Sequence, residues 1–192
     1  TLEVASFLFS IRMMQTLTQM AQAPFSSVQP LMSRLMAAGE IEKLGQLVRT
    51  RMIMVLSLMA AIFLGGAIFF PFALQIIGSK LTFIPVEAWL LLGGLTLLLR
   101  FDVLCCAVSA IGNEMVYYWE MAIASLLSAI IMFFLRNKLG VYGPILISVL
   151  PMLLLFNVGP LRLSAKILQQ KVLSGHGLAF VQVLLAYLVG CA

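Results

Sequence analysis

The sequence predicts an all-α fold: a polytopic helical membrane protein with about five to six transmembrane helices. Three observations predict it. Of 192 residues, 62% are hydrophobic and only 10% charged, at a mean hydropathy of +1.11, whereas a soluble domain is about a quarter charged. The apolar runs are too long and too many to bury in a soluble core of this size. They are continuous, without the period-two alternation over short segments that marks a membrane β-barrel. The net charge of +5 fits basic loops beside membrane segments and gives no sign of nucleic-acid binding.

The first helix is expected at about 4–37, closed by Gly39, the usual residue just past a helix end. The second, about 40–77, opens with Glu40 and Glu42, where the helix dipole favours acids, and contains Gly65, Gly66 and Pro71. Gly78-Ser79-Lys80 reads as a turn. The third helix follows Pro85 and runs from about 86 to 111, before the tight turn Gly112-Asn113. The fourth, about 115–135, is closed by Arg136-Asn137-Lys138. The fifth, about 142–158, has a basic amphipathic tail to Lys171. Residues 171–192 contain a short apolar stretch, Leu178 to Ala192, about 15 residues, either a truncated helix or an interfacial one. Together 1–170 form one transmembrane bundle with no separate soluble domain. The chain opens on Thr1 with no signal-peptide pattern and is expected to be a piece of a longer protein.

Basic residues orient the bundle. Arg34, Lys43, Arg49 and Arg51 follow the first helix, and Arg162, Lys166 and Lys171 follow the fifth. If the helices alternate, these fall on one side, and Lys80, Arg136 and Lys138 on the other. The richer side is cytoplasmic by the positive-inside rule.

The first helix is amphipathic along its whole length. Arg12, Gln15, Thr16, Gln19, Gln22, Ser26, Gln29 and Ser33 recur every three or four residues. At 3.6 residues per turn they fill an arc of about 140° and run about 31 Å, close to the thickness of a hydrocarbon core. Phe7, Leu8, Ile11, Met14, Leu17, Phe25, Val28, Leu31 and Leu35 form the opposite side. Glutamines and an arginine facing lipid would lose their water hydrogen bonds without replacement. The stripe therefore lines an aqueous cavity or packs against other polar helices. The candidate cavity residues are Arg12, Gln15, Gln19, Gln22 and Ser26, joined by Arg100 in the third helix.

Arg100 and Asp102 lie at membrane depth, where a charge costs at least about 2.5–3.5 kcal/mol. Two residues apart on one helix, they point away from each other, so each needs a partner elsewhere. Either they serve interhelical ion pairing, or Arg100 and Arg12 bind an anion and Asp102 couples transport to an ion. Tyr117, Tyr118 and Trp119 read as an interfacial belt that places Glu120 near headgroups. His176 reads as a loop residue. Cys105, Cys106 and Cys191 have no metal-ligand spacing, and neither they nor the twelve methionines suggest a metal site. No Ser/His/Asp, Cys/His or paired-carboxylate constellation supports an enzyme. Pro24, Pro30 and Pro71 are expected to kink their helices, and Gly65-Gly66 and Gly93-Gly94 to allow close helix contact.

These features carry a resemblance. The run PFSSVQPLMSRLMAAGEIEKLGQLVRTR resembles a helix hairpin repeated in each half of the MOP flippase superfamily. Its pieces here are Pro30, Ser33-Arg34, Ala37-Ala38-Gly39-Glu40, and Leu44 with Leu47. AIGNEMVYYW resembles the Gly-Asn turn after the fourth helix of a half, and LGVYGPILISVLPMLLLFNVGPLR the Gly-x-x-Gly start and Asn-containing end of the sixth helix in the polysaccharide-transporter branch. The resemblance covers about residues 1–170. It implies one lobe of a MOP/MATE-like transporter, with the first helix here the eighth of twelve. Two such lobes rock about a central cavity, so the N-terminal lobe is an implied partner. Arg12 matches the place of a cavity arginine that meets a lipid pyrophosphate.

The resemblance implies part of a flippase or exporter in the bacterial inner membrane. It would move a lipid-linked oligosaccharide, such as an O-antigen or exopolysaccharide repeat unit, by alternating access. No cofactor is expected; H+ or Na+ is the coupling-ion class, with Asp102 as its candidate acid. A MATE-like multidrug or metabolite antiporter half and a non-transporting membrane scaffold are the alternatives.

Overall fold

The computed structural model describes residues 2–78, 83–112, 118–135, 158–170 and 176–191. Among the described residues the chain is all-helical, without strands. The helices are α1 (Leu2–Ser26), α2 (Gln29–Ala37), α3 (Ile41–Ile77), α4 (Val86–Ile111), α5 (Tyr118–Leu135), α6 (Val158–Ile167) and α7 (His176–Cys191). The expected fifth helix at about 142–158 lies outside the described residues except for Val158, as do Asn113, Arg136, Lys138 and Lys171.

The single first helix expected at 4–37 is two helices. Proline has no N–H, so Pro30 leaves the carbonyl of Ser26 without its helical donor. Val28 opens to φ −101°, ψ 0°, at the edge of the helical region, and its N–H bonds to Phe25 O at 3.2 Å, three residues back. Helix resumes as Met32 N–H reaches Val28 O at 2.9 Å, with Pro30 in the first turn of α2, where a missing donor is harmless. Pro24, by contrast, stays inside α1. At the far end of α2, Gly39 takes φ +73°. Its N–H reaches Met36 O at 3.1 Å, while Glu40 N–H reaches Leu35 O at 3.0 Å. That pair of bonds is the glycine-terminated helix end the sequence predicts.

The bundle is built around α3, which packs against α1, α2, α4 and α7. Its buried line is Leu44, Val48, Met52, Val55, Leu56, Met59 and Phe63. The spacing of three and four residues keeps them on one face. Pro71 lies within α3 and Gly78 ends it at φ +65°. The bounds of α4 are those read from the sequence: Pro85 precedes it and Gly112 follows it, at an ordinary φ of −76°. Trp89, with no exposed surface, donates from Nε1 to Phe63 O at 2.8 Å and sits among Phe63, Phe70 and Phe83. A buried indole N–H satisfied in this way pins α4 to α3.

The apolar segment beyond residue 171 is an integrated part of the bundle. His176 begins helix α7 and does not sit in a loop. α7 packs on α3 and α4. Phe180 stacks on Phe101 at 4.2 Å, and Tyr187 donates its hydroxyl to Leu90 O at 2.7 Å. Gly93 makes this docking geometrically feasible: a Cβ there would lie 2.5 Å from the Tyr187 hydroxyl. Of the paired glycines, Gly66 and Gly93 make close interhelical contacts, whereas nothing approaches Gly65.

Among the described residues two helices, α3 and α4, are long and apolar enough to cross a membrane. α1 has the length, but its polar stripe keeps it out of that class, and the apolar part of α7, Gly177–Cys191, is shorter. Of the five to six spans expected from sequence, the described residues support these two by length and composition, and the span expected at about 142–158 lies almost wholly outside them. Large apolar side chains are nevertheless exposed on α3 (Ile68, Phe69, Phe72, Ile76), α5 (Trp119, Phe133, Phe134) and α7 (Leu185, Leu188, Val189). A monomer in water rarely carries so much exposed apolar surface.

Candidate functional site: the polar face of α1 and α2

The stripe read from periodicity is a real surface. Arg12, Gln15, Thr16, Gln19, Ser26 and Ser33 are exposed, and Gln22 and Gln29 are half-buried. The apolar side of α1 turns inward, with Met14 and Phe25 buried. Its hydroxyls bond back along the helix: Thr16 donates to Arg12 O at 3.0 Å and Ser33 to Gln29 O at 3.1 Å. That local bonding leaves the long amides as the groups that reach outward.

α4 contributes to the same face. Arg100 Nη1 donates to Gln22 Oε1 at 3.2 Å, and one turn earlier Thr96 donates to Met14 Sδ at 3.5 Å. Two candidate cavity residues that are 78 positions apart in the chain are thereby joined. Arg12 is held within α1, its Nη1 donating to Gln15 Oε1 at 3.4 Å. Its backbone lies about 15 Å along the helix from that of Gln22. The two guanidiniums therefore occupy different heights of the face, and Gln19 lies between Gln15 and Gln22 on the stripe.

Asp102 lies on the other side of α4, two residues from Arg100. It has 0% exposure, and neither carboxyl oxygen has a hydrogen-bond partner among the described residues. Cys105, one turn on, meets Ser164 of α6. Asp102 is therefore apart from the polar face and unpaired with Arg12 or Arg100. Among the described residues no cluster of three or more His, Cys, Asp or Glu could hold a metal ion. The side chains of Glu120 and His176 lie outside the described set, and Trp119 is exposed.

Ser6, Ser10 and Thr18 are buried on the inward side of α1, a feature the sequence reading missed. Ser10 donates to Ser6 O at 3.0 Å and Thr18 to Met14 O at 2.6 Å, so burial leaves neither hydroxyl unsatisfied. Their spacing of four and eight residues was the available signal. A cleft of about 350 Å³ between α3 and α7, with Ser57, Gln182 and Tyr187 in its wall, includes none of the polar-face residues.

The fold and site define a class: a helical bundle with an apolar exterior and one open polar face, crossed by an interhelical arginine–glutamine bond. No family model, curated protein or solved structure matches the chain.

Proposed function

We propose that the chain is one lobe of a MOP-type flippase that moves a lipid-linked oligosaccharide across the bacterial inner membrane as a multi-pass protein. The observation that carries this reading is the open polar face of α1 and α2, reinforced from α4 by the bond between Arg100 and Gln22. A sugar chain needs hydrogen-bonding partners along its path, and Gln15, Gln19, Gln22 and Ser26 supply them. A pyrophosphate needs cations, and guanidinium groups bind its oxygens through paired donors. Arg12, exposed at one level, and Arg100, at another, give the moving phosphate two successive stations. The lipid tail stays in the bilayer beside the exposed apolar surfaces. The missing wall of the cavity is the N-terminal lobe of the same transporter.

An antiporter for cationic drugs is less well supported, because the buried acid Asp102 lies off the polar face. Ion coupling through Asp102, with H+ or Na+, is retained as a part of the flippase proposal. A membrane scaffold is a second reading, favoured by the same exposure, since an open polar seam also suits helix association. Replacing Arg12 or Arg100 by Ala in the complete protein, with surface polysaccharide as the readout, tests the flippase. Normal surface polymer from both correctly inserted variants would refute it.

A further inference from the structure

The packing brings two basic segments, distant in sequence, to one end of the bundle. Gln170, just past α6, lies against Gly45 in the first turns of α3, and Ile167 of α6 lies against Gly112 at the end of α4. Arg34 closes α2 at this end, and Lys43, Arg49 and Arg51 occupy the first turns of α3. Arg162 and Lys166 lie on α6 within about 12 Å of its end. All but the half-buried Arg51 are exposed. Among the described residues the nearby acids are Glu40 and Glu42, and Glu40 is already paired with Lys43 at 2.8 Å. At the opposite end, around Gly78 and Pro85, the described residues include Glu87, and Lys80 lies outside them.

The cations adjoin exposed apolar surface. Leu31 of α2 and Met54 of α3 are exposed, and Arg51 Nη1 contacts Met54 Sδ at 3.9 Å. α6 is amphipathic: Pro160, Ser164, Ala165 and Ile167 are buried while Arg162 and Lys166 face outward. Cations next to an apolar belt match the boundary where phosphate headgroups meet acyl chains. A soluble acidic partner would need only the charge.

We infer that the end of the bundle formed by α2, the start of α3 and α6 is a docking surface for the phosphodiester headgroups of anionic lipids. The inference rests on the reading of this chain as a membrane protein and is independent of whether it transports a sugar.

The test uses the full chain in non-ionic detergent, titrated with phosphatidylglycerol or phosphatidylcholine, with thermal unfolding followed by circular dichroism. Phosphatidylglycerol is expected to raise the midpoint by about 5 °C more than phosphatidylcholine does. The difference should shrink at high salt and in Arg49→Gln/Arg162→Gln, whose replaced side chains are both exposed. If that variant does not fold, the salt dependence of the native chain decides. Equal shifts from the two lipids would overturn the inference while leaving the membrane reading intact. An equal rise with inorganic phosphate, or with polyglutamate, would assign the surface to a free anion or an acidic protein and would also overturn it. A chain that is stable without detergent and indifferent to both lipids would defeat the membrane reading as well.

Discussion

The guanidinium of Arg100 in α4 and the side-chain amide oxygen of Gln22 in α1 share a hydrogen bond of 3.2 Å. It is part-buried and charge-assisted, and it ties the polar face of α1 to the one cation that α4 places there. Removing the acceptor leaves a half-buried cation short of a partner. Gln22→Ala is expected to destabilise the bundle by about 1–2 kcal/mol. Gln22→Glu should hold the midpoint at or above the native value. Thermal unfolding in detergent checks both, and an unchanged midpoint in Gln22→Ala would show that the bond carries no stability.

Arg12 gives the opposite expectation. It is exposed, and among the described residues its side chain bonds within its own helix, to Gln15. Arg12→Ala should change stability by less than about 0.5 kcal/mol. Export of polysaccharide by the complete protein should nevertheless be lost. Combined loss of stability and export would make Arg12 a structural residue.

Cysteine substitution reads the face directly. With the three native cysteines replaced, single cysteines at Gln15, Gln19 and Ser26 should react with a membrane-impermeant thiol reagent in the complete protein. Thr18→Cys, at a position that is 1% exposed, should stay protected. Protection of all four would favour the scaffold reading, in which the stripe is a packing seam.

Gly93 is predicted to control the docking of α7. A Cβ there would meet the Tyr187 hydroxyl at 2.5 Å and Phe63 at 3.1 Å. Gly93→Ala should cost about 1–3 kcal/mol by overpacking. Adding Tyr187→Phe removes the nearer clash, so the two losses should be less than additive. Additive losses in thermal midpoint would mean that α7 accommodates the methyl group elsewhere.

Asp102 is buried, and among the described residues neither of its oxygens has a hydrogen-bond partner. The neutral isostere Asp102→Asn removes a charge that no described residue compensates, so its thermal midpoint at neutral pH should equal or exceed the native one. If Asp102 couples export to H+ or Na+, the same variant should lose the ion dependence of export. A lowered midpoint with unchanged ion dependence would make the carboxylate a structural group.

Local chemistry was legible where its signal is local. The start of α4 follows from Pro85, which fixes its own φ, and the ends of α2 and α3 from Gly39 and Gly78, which take positive φ at no steric cost. The polar face was legible because helical periodicity places Arg12, Gln15, Gln19 and Ser26 together whatever the rest of the chain does. Proline marks a weak point but leaves its outcome open: Pro24 remains inside a helix, while Pro30 starts a new one. His176 looked like a turn residue among glycines and instead begins α7.

Partnership between helices was not legible. Composition, and spacing within one helix, suffice for the all-helical class, the apolar exterior and the side of α1 that stays polar. Packing between helices is what brings Arg100 to Gln22 and not to Arg12, sets Asp102 apart from the polar face and seats Tyr187 of α7 against Gly93. Those outcomes depend on how neighbouring helices rotate and cross. Many side chains far apart in the chain set that geometry jointly, through close packing that no short stretch of sequence specifies alone.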